Sequence, residues 1–327
     1  MLAGPGLNRV CRTDYSDDQT EYDLISSRFG AHMRRLAHSA LILAIASSAM
    51  FASSVPALSE DSGNTGPLHF AVNVRRDVHS AAAVGFNLID VGTMTALAAL
   101  PEGMKGIYWL GNGYNTTCGW QTSDAEVRKI VAAIKDNPKF SGIYYISDEP
   151  HPSICRDAPA RVAERSAMIH ALDARAKTFI VVLNGSADAT EFARMKDSAD
   201  YIGVDPYPCN LRNEQTGCDY RALERKIDQA FAAGIPASRI VPVFQAFGQN
   251  CAAKDQYYRL PSAAETRKML AIWDAKVPVG QRPFDMTYSW GAQKVACPAL
   301  STSQANADLD LKPVYSTYFS QSRAAAR

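Results

Sequence analysis

The chain carries almost no net charge: +1 at neutral pH over 327 residues. A nucleic acid or an anionic membrane asks for a basic surface, and this balance gives no sign of one. No apolar run is long enough to make a good membrane span. The best candidate, 40–46, is short and bordered by serine. There is no Cys-x-x-Cys and no Cys/His cluster at zinc spacing, so no metal is expected. A Gly-rich phosphate loop is missing: the first strand candidate runs into Asn73-Val74-Arg75-Arg76. The Gly-x-Ser-x-Gly elbow of an esterase is missing too. Nothing in the sequence implies an organic cofactor.

What is present first is an export signal. Met33-Arg34-Arg35 precedes the apolar run 40–46, and small residues then lead to Val55-Pro56-Ala57. This reads as a signal peptide cut near Ala57, with 1–57 as leader, 58–67 as a Ser/Gly/Asp linker and 68–327 as the domain. The expected location is secreted or periplasmic, with no stable membrane insertion after cleavage. Cysteine usage agrees. Beyond Cys11 in the leader there are six: Cys118, Cys155, Cys209, Cys218, Cys251 and Cys297. An even count in an exported chain implies disulfides.

From the linker onward, apolar runs alternate with helical patterns. Strands are expected over 68–74, 86–91, 106–110, 142–147, 179–183, 201–204, 240–244 and 286–289. Ser123-x-x-Glu126 and Ser262-x-x-Glu265 read as capping boxes opening helices. A helix over 220–233 stops at Gly234, and 314–319 fits a final docking helix. Eight strands alternating with helices over about 250 residues predict a single-domain (β/α)₈ TIM barrel. In that fold Cys118–Cys155, Cys209–Cys218 and Cys251–Cys297 would each join nearby loops.

The stretch with the most chemistry is 141–152, Ser-Gly-Ile-Tyr-Tyr-Ile-Ser-Asp-Glu-Pro-His-Pro. A β-branched and aromatic run suits a buried strand, and two carboxylates, Asp148 and Glu149, stand at its end. Pro150 stops the ladder and biases Glu149 toward an extended conformation. Barrel enzymes place their sites at such C-terminal strand ends. The other ends offer Asn73, Asp90, Trp109 with Asn112, Asn184, Asp205 with Tyr207, Gln245 and Trp290. Carboxylates among aromatic and amide groups suit a carbohydrate partner: acids act on the glycosidic bond, flat rings meet sugar faces, and amides hold hydroxyls. The plainer alternatives are strand-end capping, ion pairing and core packing.

On these residues the chain resembles the (β/α)₈ glycoside hydrolases. Ser-Asp-Glu-Pro at strand four is similar to the Asn-Glu-Pro of the large retaining clan, which implies Glu149 as general acid. Asp148 stands where that clan has Asn, and Gln245 where its nucleophilic Glu belongs. The Asp-Glu pair also resembles families in which a substrate acetamido group is the nucleophile and the Asp orients it. A third route is inverting hydrolysis with Asp205 as base. The resemblance implies catalytic Glu149, Asp148 and Asp205, with Asn73, Trp109, Asn184, Tyr207, Gln245 and Trp290 contacting the sugar. Ser289-Trp290-Gly291 fits the aromatic that follows strand eight in that superfamily. The missing strand-seven Glu also admits a catalytically inactive carbohydrate-binding barrel.

Overall fold

The structure, a computed structural model, describes residues 66–183, 190–251, 256–303 and 310–325. The expected leader and Asn184 lie outside the described residues. Eight strands form a closed parallel barrel in chain order: β1 (His69–Ala71), β2 (Leu88–Val91), β3 (Lys105–Trp109), β4 (Phe140–Asp148), β5 (Lys177–Val182), β6 (Tyr201–Val204), β7 (Ile240–Gln245) and β8 (Asp285–Tyr288). A helix follows each: α1 (Val78–Val84), α2 (Met94–Ala98), α3 (Asp124–Ile134), α4 (Ala158–Leu172), α5 (Thr190–Met195), α6 (Tyr220–Ala232), α7 (Ala263–Lys276) and α8 (Lys312–Ala325). The expected (β/α)₈ barrel is therefore the observed one.

The strands are apolar almost throughout because both of their faces are buried. Side chains of a strand alternate between faces. Ile143 and Tyr145 fill the barrel interior, while Tyr144 and Ile146 pack outward against the helices. Phe179 and Val181 divide from Ile180 and Val182 in the same way. Gly203 of β6 leaves room for this packing, since a Cβ there would sit 2.8 Å from Val181 Cγ2 and 3.1 Å from Phe179 Cε2.

Capping follows the sequence closely but not completely. Ser262 caps α7 and Glu265 returns the bond to Ser262 N at 2.9 Å, a complete capping box. At α3 Ser123 accepts from Glu126 N at 3.2 Å, but Glu126 pairs with Lys129 instead of closing the box. Gly234, just past α6, takes φ +88°, the left-handed turn that glycine permits.

Buried charge closes the barrel at its N-terminal end. His69 of β1 and Asp285 of β8 are register partners, and Nδ1 meets Oδ2 at 2.9 Å. Arg282 reaches the same carboxylate at 2.9 Å and Asp274 at 2.9 Å, while Tyr318 of α8 donates to Asp274 at 2.6 Å. Each buried charge here has an opposite partner, as burial demands.

All six cysteines among the described residues are paired as expected: Cys118–Cys155, Cys209–Cys218 and Cys251–Cys297, with separations of 37, 9 and 46 residues. Loop closure of the two longer bridges corresponds to about 4 kcal/mol each through the unfolded chain. Reduction should therefore lower the melting temperature by several degrees, measured by calorimetry with and without reductant. Thiol titration of the denatured, unreduced protein should find these six unreactive. Free thiols among them, or an unchanged melting temperature, would count against the bridges. No described helix is long and apolar enough to cross a membrane.

Candidate active site

β4 carries the centre of the site, and its end is irregular. The pairing of β4 with β5 shifts between Tyr145 and Ser147. Ser147 is fully buried and donates to Gly113 O at 2.6 Å and to Asn112 Oδ1 at 3.2 Å. Asn112 Oδ1 also accepts from Asp148 N at 2.9 Å. The loop after β3 thus clamps the last two residues of β4.

Consecutive residues of an extended strand point to opposite faces, so Asp148 and Glu149 could not both reach the barrel mouth from a straight β4. The backbone resolves this at Glu149, which adopts φ +50° while its N–H still bonds Val181 O at 3.1 Å. The expectation of an extended Glu149 is corrected here. Pro150 disfavours the right-handed helical region for the residue before it, and Glu149 takes the left-handed one. A non-glycine residue held there costs on the order of 1 kcal/mol and is found where a site requires it.

Three carboxyls meet as a result. Tyr145 turns inward and donates to Asp148 Oδ1 at 2.6 Å. Burial, followed by the neighbouring Glu149 charge, pushes Asp148 up from 3.8 to about 6, against the lowering effect of the Tyr145 bond. Asp205, just beyond β6, hydrogen-bonds the Glu149 carboxyl. Burial, the charge of Glu149 and that shared bond hold Asp205 well above the usual carboxylate range. Two carboxyls can bond to each other only through a proton, which the pair would share. An inverting acid and base stand roughly 6.5–9.5 Å apart to admit a water. Glu149 and Asp205, in hydrogen-bond contact, are closer than that.

Aromatic side chains wall the carboxyls. Tyr207 stacks on Tyr288 with centroids 6.0 Å apart, and meets Tyr258 edge-on at 5.5 Å. Phe247 lies 4.9–5.3 Å from all three. Trp109 lies against Tyr145 at 4.6 Å. Burial and then the Asp205 charge push the Tyr258 phenol up to about 12, and burial likewise raises Tyr207, Tyr288 and Tyr145. These phenols keep their protons and can donate hydrogen bonds.

The structure thus brings Asp148, Glu149, Asp205 and Tyr207 together, with Trp109 beside Tyr145. Other expected contacts lie elsewhere. Gln245 is completely buried: Nε2 donates to Cys209 O at 2.8 Å and Arg259 O at 2.9 Å, and Oε1 accepts from Cys209 N at 2.9 Å. Its amide is used up holding two loops and has nothing left for a sugar hydroxyl. Trp290 is 1% exposed, packs edge-on against Phe86 and donates from Nε1 to Asp77 Oδ2 at 3.0 Å. The strand alternation ends at Tyr288, which takes the place at the mouth that Trp290 was expected to fill. Asn73 is half-buried at the end of β1 with φ +62°, and its N–H bonds Asp90 rather than the three carboxyls. Tyr145, Tyr258, Tyr288 and Phe247 were missed. Strand parity marks Tyr145 and Tyr288 as inward, but no sequence signal marks a loop residue such as Tyr258.

One described cluster has metal-ligand spacing, Cys209, Cys218 and Glu265. Its sulfurs are bonded to each other, and Glu265 pairs with Arg259 at 2.7 Å. A groove of about 520 Å³ opens away from the mouth, beside the start of β5 and β6. Its His170 and Lys177 both pair with Asp200, so its charges are already matched.

Ionising a half-buried carboxylate that lies beside another carboxyl costs stability. The rise of Asp148 from 3.8 to about 6 means that the fold binds a proton the unfolded chain has released. Stability therefore falls as pH rises through that interval, by about 3 kcal/mol in all, and the loss persists at neutral pH. Asp148→Asn keeps an acceptor for Tyr145 and removes the charge. It should raise the melting temperature at neutral pH by up to about 6–12 °C, with a smaller gain near pH 4. A lower melting temperature at neutral pH would contradict this.

No protein-family model matches the chain, and no curated sequence is similar to it. Solved structures do match in fold. A β-glucanase from Saccharophagus degradans in complex with cellotetraose is 13% identical, with a TM-score of 0.50, over 81% of this chain and 89% of that one. A β-galactosidase from the psychrophilic Marinomonas ef1 is 10% identical, with a TM-score of 0.55, over 79% of this chain and 60% of that one. A β-D-glucuronidase from Dictyoglomus thermophilum is 14% identical, with a TM-score of 0.52, over 78% of this chain and 50% of that one. The chain therefore spans most of the glucanase but only half to three fifths of the other two. At these identities the likeness is one of fold, and the fold is the TIM barrel that these glycoside hydrolases share.

Proposed function

We propose that the protein is an exported glycoside hydrolase acting on a poly- or oligosaccharide, with the Glu149–Asp205 pair as its general acid. The observation that carries this reading is the meeting of three carboxyls. Glu149 and Asp205, from different strands, bond to each other in a tyrosine-walled mouth at the C-terminal end of the barrel, beside Asp148 held by Tyr145. In the proposed reaction Glu149 gives the proton it shares with Asp205 to the leaving oxygen as the glycosidic C–O bond breaks. Asp148, oriented by Tyr145 and ionised above about pH 6, steadies the positive charge on the ring. A water then adds its hydroxide to the anomeric carbon and returns a proton to the pair.

Asp148 and Asp205 remain the second carboxyls of the mechanism. Tyr207 and Trp109 are proposed sugar contacts, joined by Tyr258 and Tyr288. Gln245 and Trp290 are proposed instead as supports for the loops around them. The three disulfides support export, in keeping with the signal peptide expected from the sequence. The buried, fully bonded Gln245 at the end of β7 favours a second reading, a carbohydrate-binding barrel without catalysis. A glycan-library assay on the mature chain, scoring reducing ends and binding separately, tells the two apart. Release of new reducing ends that Glu149→Gln abolishes supports the enzyme. Binding without release supports the silent barrel.

A further inference from the structure

Glu149 stands in a turn that its residue type disfavours. A side chain at φ +50° persists only where its surroundings over-determine the backbone. Three hydrogen bonds do so here. Asp148 N donates to Asn112 Oδ1 at 2.9 Å, Glu149 N to Val181 O at 3.1 Å, and His151 N to Tyr114 O at 2.7 Å. Pro150 has no N–H, so every main-chain donor from Asp148 to His151 is taken. Among the acceptors Asn112 alone is a side chain.

The loop around Asn112 holds that amide still. β3 ends at Trp109, and beyond it the Asn112 side chain does for β4 what a strand carbonyl would do. Its own main chain is anchored twice: N donates to Gln121 Oε1 at 2.7 Å, and O accepts from Gln121 N at 2.9 Å. Both neighbours are glycines in tight places. A Cβ on Gly111 would sit 2.8 Å from Thr122 Oγ1, and one on Gly113 would sit 2.3 Å from Trp120 Cε3. Asn112 Oδ1 also accepts from Gly113 N at 3.2 Å and lies 3.2 Å from the buried Ser147 hydroxyl. One oxygen thus ties the end of β4 to the loop after β3.

We infer that Asn112 is a positioning residue: its side-chain carbonyl fixes the Asp148–Glu149 turn and thereby sets where those two carboxyls stand at the mouth. It acts through the main chain of Asp148. Its effect on rate rests on the glycosidase reading, whereas its effect on the turn does not.

The test compares the parent with Asn112→Ala, which removes the acceptor, and Asn112→Asp, which keeps an oxygen in its place. Should Asn112→Ala fail to fold, Asn112→Ser, too short to reach the same N–H, stands in for it. Reducing-end release is measured on cellotetraose, xylotetraose, mannotetraose and laminaritetraose, well above about pH 6 so that Asp148 is ionised. Asn112→Ala should lose about 10–10²-fold in kcat with KM nearly unchanged, because the turn misplaces the carboxyls without removing them. Asn112→Asp should recover most of that loss. Amide-hydrogen exchange, which needs no substrate, should quicken at Asp148 and Glu149 in Asn112→Ala and stay near parental in Asn112→Asp. A purely structural role would lower the melting temperature and leave kcat intact wherever the variant is folded. Parental kcat in folded Asn112→Ala, or equal losses in the Ala and Asp variants, overturns the positioning role and leaves the glycosidase reading standing. If the parent cleaves none of the four, it is the glycosidase reading that fails, and exchange alone decides on Asn112. Faster exchange confined to the turn then sustains its role, and parental exchange overturns it.

Discussion

Glu149→Gln is expected to lower kcat by about 10²–10⁴-fold with little change in substrate binding. Gln keeps the shape of the side chain and can still hydrogen-bond Asp205, so the mouth should keep its form. What it cannot do is give up a proton to a leaving oxygen. The left-handed backbone at Glu149 is unaffected, since Glu and Gln share the same constraint at φ +50°. The measurement is initial rate against substrate concentration for parent and variant, with the melting temperature as a control for folding. A variant that cleaves glycan at the parental rate would remove Glu149 from the chemistry. Asp205→Asn probes the other side of the pair. It removes the second carboxyl of the pair, and a large loss in kcat is expected there too.

The second large effect concerns Gln245. Its position at the end of β7 invites replacement by the Glu that retaining barrels carry, as a way of restoring a nucleophile. The structure predicts damage instead. The Gln245 amide faces the carbonyls of Cys209 and Arg259 at 2.8 and 2.9 Å, with none of its surface exposed. A carboxylate there would set oxygen against oxygen and lose both bonds in a dry site. The cost is about 3 kcal/mol or more, and it grows as pH rises because the ionised form is the disfavoured one. Gln245→Glu should melt about 6–12 °C below the parent at neutral pH, with a smaller deficit in acid. No covalent glycosyl-enzyme should appear by intact mass, because the new carboxylate would be held among backbone groups, away from the sugar. A variant as stable as the parent, or one that traps such an intermediate, would show that Gln245 faces the substrate after all.

These two residues show how differently sequence and structure inform the site. Both stand at strand ends, and both look equally available in the chain. Only packing separates them. The β6 and β7 loops close over Gln245 and consume its amide, whereas the turn at Glu149 opens its side chain to the mouth.

The sequence by itself determined the fold. Eight apolar runs with helical patterns between them specify a parallel barrel because strands buried on both faces must be apolar throughout. The same pattern placed Asp148, Glu149 and Asp205 at the C-terminal ends of β4 and β6, since strand boundaries are local and Pro150 and Pro206 mark them. The cysteine pairing followed once those boundaries were known, because neighbouring strands bring their loops together. Tertiary structure alone decided which strand-end side chains share the mouth. That choice depends on the register shift in β4, on the backbone turn at Glu149 and on loops from distant parts of the chain. Tyr258 comes from a loop beyond β7, and Trp290 leaves the mouth because the strand alternation stops two residues before it. A one-residue change of direction reverses where a side chain points, and no local pattern records it.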